Sequence, residues 1–398
     1  MKKMHNYVIK VPVDDDKVLL FNSLNGAIVL MKKIELDEMA SENYSSLYEL
    51  NYYEKNENIL NALKQHRIRE RSRLNITISF NQSCNLACDY CSQNNQRSDG
   101  HISKKTLNYC IKYIEKCINE EKFKTVSIML FGGEPLLDIE SILFFKNKLE
   151  SRIDKEKIVY SINTNGVLLT PQFLSNFEQL NVSITLSEKN DHDSHRVFKD
   201  DTGSYETILL NLINCSNQFN KKVRLILRYN VSNTTMDFEE FLISIKNHNL
   251  AVYEIELAKV ESYSYNTSTN VISHEDYTEW LDKKGYPLLK KYGYPINIPR
   301  PNFSTCSAHR PFSIKICHDG MLLSCNYFNY SDRTESVQKI AKTPSLANVI
   351  LDTKSVDVLP SDCVDCLYLL ICGGKYACMD SNCKNEKGRE ILSIIRNI

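Results

Sequence analysis

Six short runs rich in β-branched residues, at 74–80, 125–131, 158–163, 182–187, 223–230 and 253–260, alternate with helical patterns at about 103–120, 139–152, 171–179, 204–219 and 236–248. This alternation constrains the chain more than any other feature, because successive strands joined by a helix are free to pair in parallel. Six such steps predict an α/β fold built on a partial (β/α)6 TIM-like barrel rather than the closed eight-fold one. Chemistry in these folds collects at the C-terminal ends of the strands, so the residues following each run carry the most information.

A chain of 398 residues is expected to hold more than one module. Residues 1–70 read as three strands, 7–13, 17–22 and 27–31, followed by helical stretches near 34–48 and 53–68: a small α+β module with no chemical signature. The barrel takes 71–262. Residues 263–304, rich in Tyr, Ser, Asn and Pro, read as a linker with one helix around 275–292, and 305–398 as a C-terminal domain. Forty-nine Lys and Arg balance forty-nine Asp and Glu, which removes the electrostatic case for a nucleic-acid or acidic-membrane partner. No apolar run approaches the roughly 20 residues that span a bilayer, and the first 16 residues lack a run of signal-peptide length. A soluble, cytoplasmic chain is expected. Thiols stay reduced there, so fourteen cysteines point to metal or catalytic use rather than to disulfides.

Directly after the first barrel strand stand Cys84, Cys88 and Cys91, a Cys-x3-Cys-x2-Cys array. Three thiolates can hold three irons of a [4Fe–4S] cluster and leave the fourth iron open to a ligand. A zinc site missing its fourth ligand is the other reading, but zinc more often uses paired Cys-x2-Cys spacing. Cys110 and Cys117, seven apart on a predicted amphipathic helix, read as small buried hydrophobes. Cys317, in an apolar run, reads the same way, with ligation as its second reading.

The array, with aromatic Tyr90 beside its third cysteine, resembles the signature of the radical S-adenosylmethionine (SAM) enzymes. The resemblance implies a [4Fe–4S] cluster whose open iron is chelated by the amine and carboxylate of SAM. An electron then splits the sulfonium to give a 5′-deoxyadenosyl radical, which takes a hydrogen atom from the substrate. Gly132, Gly133, Glu134 and Pro135, ending the second strand, resemble the Gly-Gly-Glu-Pro motif of that family, whose carbonyls accept from the methionine ammonium group. Asn165, in the polar turn ending the third strand, is implied to lie close to the cofactor. The fourth strand ends Thr185-Leu186-Ser187-Glu188 where the family segment reads Ser-Leu-Asp-Gly. Thr185 keeps a hydroxyl for the cofactor, while Ser187 replaces the aspartate and Glu188 the glycine. The segment from His192 to Arg196 is similar to a His-Asp-x-x-Arg element, in which Arg196 would pair with the methionine carboxylate.

Seven further cysteines crowd the last quarter. Cys306, Gly320 and Cys325, followed by Cys363, Cys366 and Cys372, resemble the SPASM extension of the same family. Its next cysteine position holds Tyr376, and Cys378 and Cys383 supply two thiols at altered spacing. The resemblance implies two auxiliary iron–sulfur clusters, the inner on Cys306, Cys325 and Cys378, the outer on Cys363, Cys366, Cys372 and Cys383. A zinc ribbon on those last four is the alternative.

Enzymes of this architecture mostly modify peptides or protein side chains. By resemblance the chain is expected to be a maturase that installs a thioether or C–C crosslink on a ribosomally made precursor peptide. Residues 1–70 would recognise the leader by strand addition, and a flavodoxin or ferredoxin would supply electrons. The alternatives are an anaerobic sulfatase-maturing enzyme, which makes formylglycine, and a non-catalytic iron–sulfur or zinc interaction protein. Glu254 and Glu256, near the end of the sixth strand, offer carboxylates near the barrel mouth, with a solvent-facing role as the plainer reading.

Overall fold

A computed structural model describes residues 7–39, 73–93, 97–120, 123–260, 271–299, 312–323, 366–368, 371 and 383–397, without the side chains of 37–39 and 383–387. At the start, β1 (Val8–Pro12), β2 (Lys17–Asn22) and β3 (Ile28–Lys32) form an antiparallel sheet in the order β1-β2-β3, followed by α1 (Lys33–Met39). The helix expected at 34–48 is described over these seven residues, and the one expected at 53–68 lies outside the described residues.

Six strands then follow at the positions read from the sequence: β4 (Arg73–Ser79), β5 (Thr125–Phe131), β6 (Ile158–Thr164), β7 (Leu180–Thr185), β8 (Val223–Val231) and β9 (Val252–Lys259). Neighbours in sequence are neighbours in the sheet, and every pair is parallel. Between them run α2 (Lys104–Asn119), α3 (Ile139–Glu150), α4 (Pro171–Leu174), α5 (Lys189–His195), α6 (Tyr205–Asn214) and α7 (Phe238–Asn247). The helical pattern at 171–179 shortens to the four residues of α4, because Asn176 and Phe177 close it with turn hydrogen bonds to Phe173 and Leu174 carbonyls. Helix α5 was not expected; Glu188 caps it, accepting from the amides of Asn190 and Asp191 at 2.9 and 3.1 Å.

Strand side chains alternate between two environments. Val126, Ile128 and Leu130 of β5, and Leu225, Leu227 and Tyr229 of β8, are fully buried beneath the helices. The alternate positions, Met129, Ser161, Asn163, Ser183, Thr185 and Arg228 among them, face a cavity instead. Ser103 caps α2 through its side-chain oxygen (Thr106 N–H, 3.0 Å), and the inward face of that helix buries Leu107, Cys110, Ile111, Ile114 and Cys117. Cys110 and Cys117 are the core residues their spacing suggested.

After β9 come α8 (His274–Trp280), one π-helical turn over Leu281–Gly285, and α9 (Tyr286–Lys291). These form the helix expected within 263–304. Strand β10 (Ser313–Ile316) pairs in parallel with β4, and β11 (Leu322–Leu323) pairs antiparallel with β10, so the sheet has eight strands in the order β11-β10-β4-β5-β6-β7-β8-β9. Residues in the segment assigned to a C-terminal domain thus extend the central sheet. Cys317 follows β10 and is fully buried.

The last helix, α10 (Cys383–Asn397), joins the two ends of the chain. Its Ile391 and Ile395, with Ile371, pack against Ile9, Val11 and Phe21 on one face of the N-terminal sheet. Ser23 Oγ donates to the Leu367 carbonyl at 3.1 Å. On its other side α10 meets the π turn, where Asp282 accepts from Ser393 Oγ at 2.7 Å, Asn397 Nδ2 at 3.2 Å and Arg396 Nη1 at 3.3 Å. Among the described residues no helix is long and apolar enough to cross a membrane.

Candidate active site

The loops after β4, β5, β6 and β7 converge on a cavity of about 590 Å³ at the C-terminal ends of the strands. Cys84, Cys88 and Cys91 form part of its lining, Cys84 and Cys88 buried and Cys91 half-buried. Gly132, Gly133, Glu134, Asn165, Thr185 and Arg196 line it too, so the structure brings together every cofactor residue read from the sequence except Pro135, which is buried at the start of the turn behind Glu134.

The cysteine loop is fixed from three directions. Against the Gly-Gly-Glu-Pro turn, Gly133 N–H donates to Asn81 O at 3.2 Å, Glu134 N–H to Ser83 O at 2.8 Å, and Asn81 Nδ2 to Glu134 O at 2.8 Å. A Cβ on Gly133 would stand 2.2 Å from Ser83 O, and one on Gly132 2.9 Å from Asn81 Oδ1. The close backbone approach that the two glycines allow is therefore to the cysteine loop as well as to any ligand. Toward β6, Asn165 Nδ2 donates to Asn85 Oδ1 at 2.7 Å and to Cys84 Sγ at 3.7 Å. From the α5 side, Ala87 N–H donates to Val197 O at 2.8 Å, and Asp89 N–H to His195 O at 3.2 Å.

Glu134 is fully buried and serves as a brace. Its carboxylate accepts from Leu136 N–H (2.9 Å), Thr164 Oγ1 (2.6 Å) and Asn165 N–H (2.7 Å), locking the second motif to the third. Burial pushes its carboxyl up, and these three donors draw it back.

His192, likewise fully buried, holds Arg196 in place. Ser187 N–H donates to His192 Nδ1 at 3.4 Å, while Ser204 Oγ lies 3.1 Å from Nε2 and donates to the Arg196 carbonyl at 2.6 Å. One tautomer satisfies the whole chain, with the proton on Nε2. Burial drives His192 well below its ordinary pKa, so the ring is neutral. Arg196 itself is 8% exposed, and among the described residues its Nε has no hydrogen-bond partner. A buried guanidinium on the cavity wall is suited to an anionic ligand.

Two groups were not singled out from the sequence. His195 Nδ1 lies 2.8 Å from Asp89 Oδ2, and this pairing raises the imidazole pKa. Its ring packs 5.6 Å from that of Tyr90, a buried phenol whose pKa burial lifts to about 12. Arg97 Nη1 donates to the Leu86 carbonyl at 2.5 Å across the same loop. Spacing gave no signal for the Asp89–His195 pair, whose members are separated by 106 positions.

The donor set fits a [4Fe–4S] cluster. Three thiols project from one loop into a cavity, and among the described residues no three of His, Cys, Asp and Glu gather tightly enough to hold a single ion. A cluster spreads its ligands over separate corners, which this wider arrangement allows. Of the other candidate ligands, Cys366 is half-buried and Cys383 opens α10, whereas Cys306, Cys325, Cys363, Cys372 and Cys378 lie outside the described residues.

Comparison with known proteins agrees with this geometry. The family model described as the radical SAM superfamily matches residues 78–242, which hold the cysteine loop and all the motifs around the cavity. The chain is 27% identical to the radical SAM cyclopropyl synthase TigE of Paramaledivibacter caminithermalis, over 83% of this chain and 84% of the relative. It is 27% identical to the cysteine-type anaerobic sulfatase-maturating enzyme of Clostridium novyi, over 33% of this chain and 37% of that one. Among solved structures, anSMEcpe with bound AdoMet and the Kp18Cys peptide superposes with a TM-score of 0.62 at 18% identity, covering 82% of this chain and 100% of the other. Streptococcus suis SuiB bound to its precursor peptide SuiA gives 0.51 at 16% identity, covering 94% and 96%. With a matching domain, a matching fold and three cysteines in the matching loop, the chain carries a domain of the radical SAM superfamily over residues 78–242.

Proposed function

We propose that the protein is a peptide maturase that joins two carbons of a ribosomally made precursor through a net loss of two hydrogens. The observation that carries this reading is the cysteine loop clamped against Gly133, Asn165 and the Arg196 segment at one wall of a polar cavity. Its substrate class is supported by similarity to a cyclopropyl synthase along most of both chains, and by structural neighbours solved with bound peptides. The cyclopropyl name favours C–C bond formation over a thioether.

In this reading Cys84, Cys88 and Cys91 hold a [4Fe–4S] cluster, and Gly132, Gly133 and Arg196 receive the amine and carboxylate of SAM. When bound, the pair supplies a carbon-centred radical that removes a hydrogen atom from the peptide. The chain's own residues fix the loop, keep Arg196 buried and cationic, and exclude water behind Leu86 and Phe198, which pack against the thiols. Cys306, Cys325 and Cys378, and Cys363, Cys366, Cys372 and Cys383, would hold two auxiliary clusters. The exposed outer edge of β3 offers itself to a leader strand, and a flavodoxin or ferredoxin would deliver electrons.

Anaerobic reconstitution tests the reading. About twelve irons per chain are expected for three four-iron clusters, with release of 5′-deoxyadenosine from SAM. Changing Cys84, Cys88 and Cys91 to alanine should remove about four irons and all cleavage. A short open reading frame beside the gene, co-expressed anaerobically, should yield a peptide lighter by two hydrogens. Conversion of a cysteine to an aldehyde would instead indicate sulfatase maturation, and zinc without SAM cleavage would end the proposal.

A further inference from the structure

The cavity lining carries charges of both signs. Arg196 and Arg97 line it together with the thiols. Strands β8 and β9 contribute Arg228, Glu254 and Glu256. Arg228 lies directly across from Glu256 in the parallel register and binds it at 2.9 Å, with its Nε directed to Asn230 Oδ1 at 3.3 Å. That cation is therefore engaged. Glu254, two residues before Glu256 on the same face of β9, lies across from apolar Ile226. It is half-buried, and among the described residues its one hydrogen-bond partner is the Asn297 amide. Among the described residues it is the cavity carboxylate that lacks a cation: Glu134 is braced by three donors, and Glu256 has Arg228.

A half-buried carboxylate beside a second one is unfavourable unless a positive group arrives, and burial and Glu256 both raise the Glu254 pKa. That the cavity receives a ligand rests on separate ground, the cysteine loop and the Gly-Gly-Glu-Pro turn of the radical SAM domain that line it.

We propose that Glu254 is a specificity-determining residue that binds a cationic group of the peptide substrate, a Lys or Arg side chain near the residue to be modified. The proposal rests on the peptide-maturase reading and adds a charge requirement to it. Arg228 holds Glu256 in place, so Glu254 is left as the net negative charge of this part of the wall. Asn297, from the segment after α9, orients the Glu254 carboxylate toward the incoming cation.

The test uses reconstituted, SAM-loaded enzyme immobilised under anaerobic conditions and exposed to two mass-encoded heptapeptide libraries. One is N-acetylated with Lys, Arg, Gln, Glu or Ala at each position in turn; the other has a free amine and no Lys or Arg. Wild type should enrich Lys and Arg peptides of the first library at least about fivefold over Gln, equivalent to roughly 1 kcal/mol. Glu254→Gln should lose that preference, and Glu254→Lys should favour Glu peptides, a reversal that a merely misfolded variant does not produce. Enrichment confined to the second library would identify the cation as a chain amine and overturn the side-chain assignment. Absence of any charge preference, or its persistence in Glu254→Gln, would overturn the proposal. SAM cleavage by wild type is measured on the same preparation, so failure of the enzyme reading is distinguished from failure of the charge requirement.

Discussion

Gly133 occupies a position where a methyl group has no room. Its Cβ would meet two backbone oxygens, Ser83 O at 2.2 Å and Gln82 O at 2.7 Å, neither of which can rotate aside. Gly133→Ala should destabilise the fold by about 1–3 kcal/mol and lower cluster loading, because the strain falls on the cysteine loop. Iron content and thermal melting of the reconstituted variant measure both effects. Glu134→Gln should cost about 1–3 kcal/mol as well, since an amide NH₂ would face donors that now have an acceptor. His192 makes a prediction about pH. Below its ordinary value of 6.5 the unfolded chain takes up a proton that the buried ring refuses. Its stabilisation is thus complete above that pH and is lost as pH falls toward the lowered folded value, by at most about 1.4 kcal/mol per unit. The stability gap between wild type and His192→Gln should narrow between about pH 7.5 and 5.5 in denaturant titrations; a constant gap would mean that the ring protonates within the fold. At this scale the sequence revealed which residues meet and much less of what each does. Cys84, Gly132 and Arg196 stood out as motif members, but the bracing role of Glu134 and the Asp89–His195 pair depend on partners 30 and 106 positions away, beyond the reach of local spacing.

Strands β4 to β8 were legible because their buried face alternates at every second position, and β-branched runs of this length have few other ways to fold. Strand β10 was not assigned to the sheet. Four residues, Ser313–Ile316, carry too short a pattern to reveal a partner, and parallel pairing with β4 leaves no turn to mark it. Helix α5 was missed for a related reason: it is short and polar, held by the Glu188 cap and His192 rather than by an apolar stripe. The helix pair around the π turn was read as one helix, and its irregular turn is where α10 attaches. Asp282→Ala removes the acceptor of three α10 donors and should cost about 2 kcal/mol, hydrogen bonds to a charged group being among the stronger ones. Hydrogen exchange over 383–397 should rise selectively; unchanged protection would mean that apolar packing alone holds the helix.

Across the whole molecule, the N-terminal sheet has a second duty besides any peptide it receives. Ile9, Val11 and Phe21 cover Ile371, Ile391 and Ile395, so deleting residues 1–32 should expose an apolar face on the C-terminal segment. Increased dye binding and a lower melting temperature are expected, and a fully soluble truncation with unchanged melting would argue that the contact is dispensable. The parallel pairing of β10 with β4 has a further consequence, for synthesis. The strand that leads into the cysteine loop waits for a neighbour whose residues, 313–316, leave the ribosome more than 230 positions later. At the usual 5–20 residues per second that delay is roughly 12–50 s, during which one flank of the nascent sheet stays open. The outer edge of β4 is thus completed by residues that translation supplies long after the cysteine loop itself has emerged.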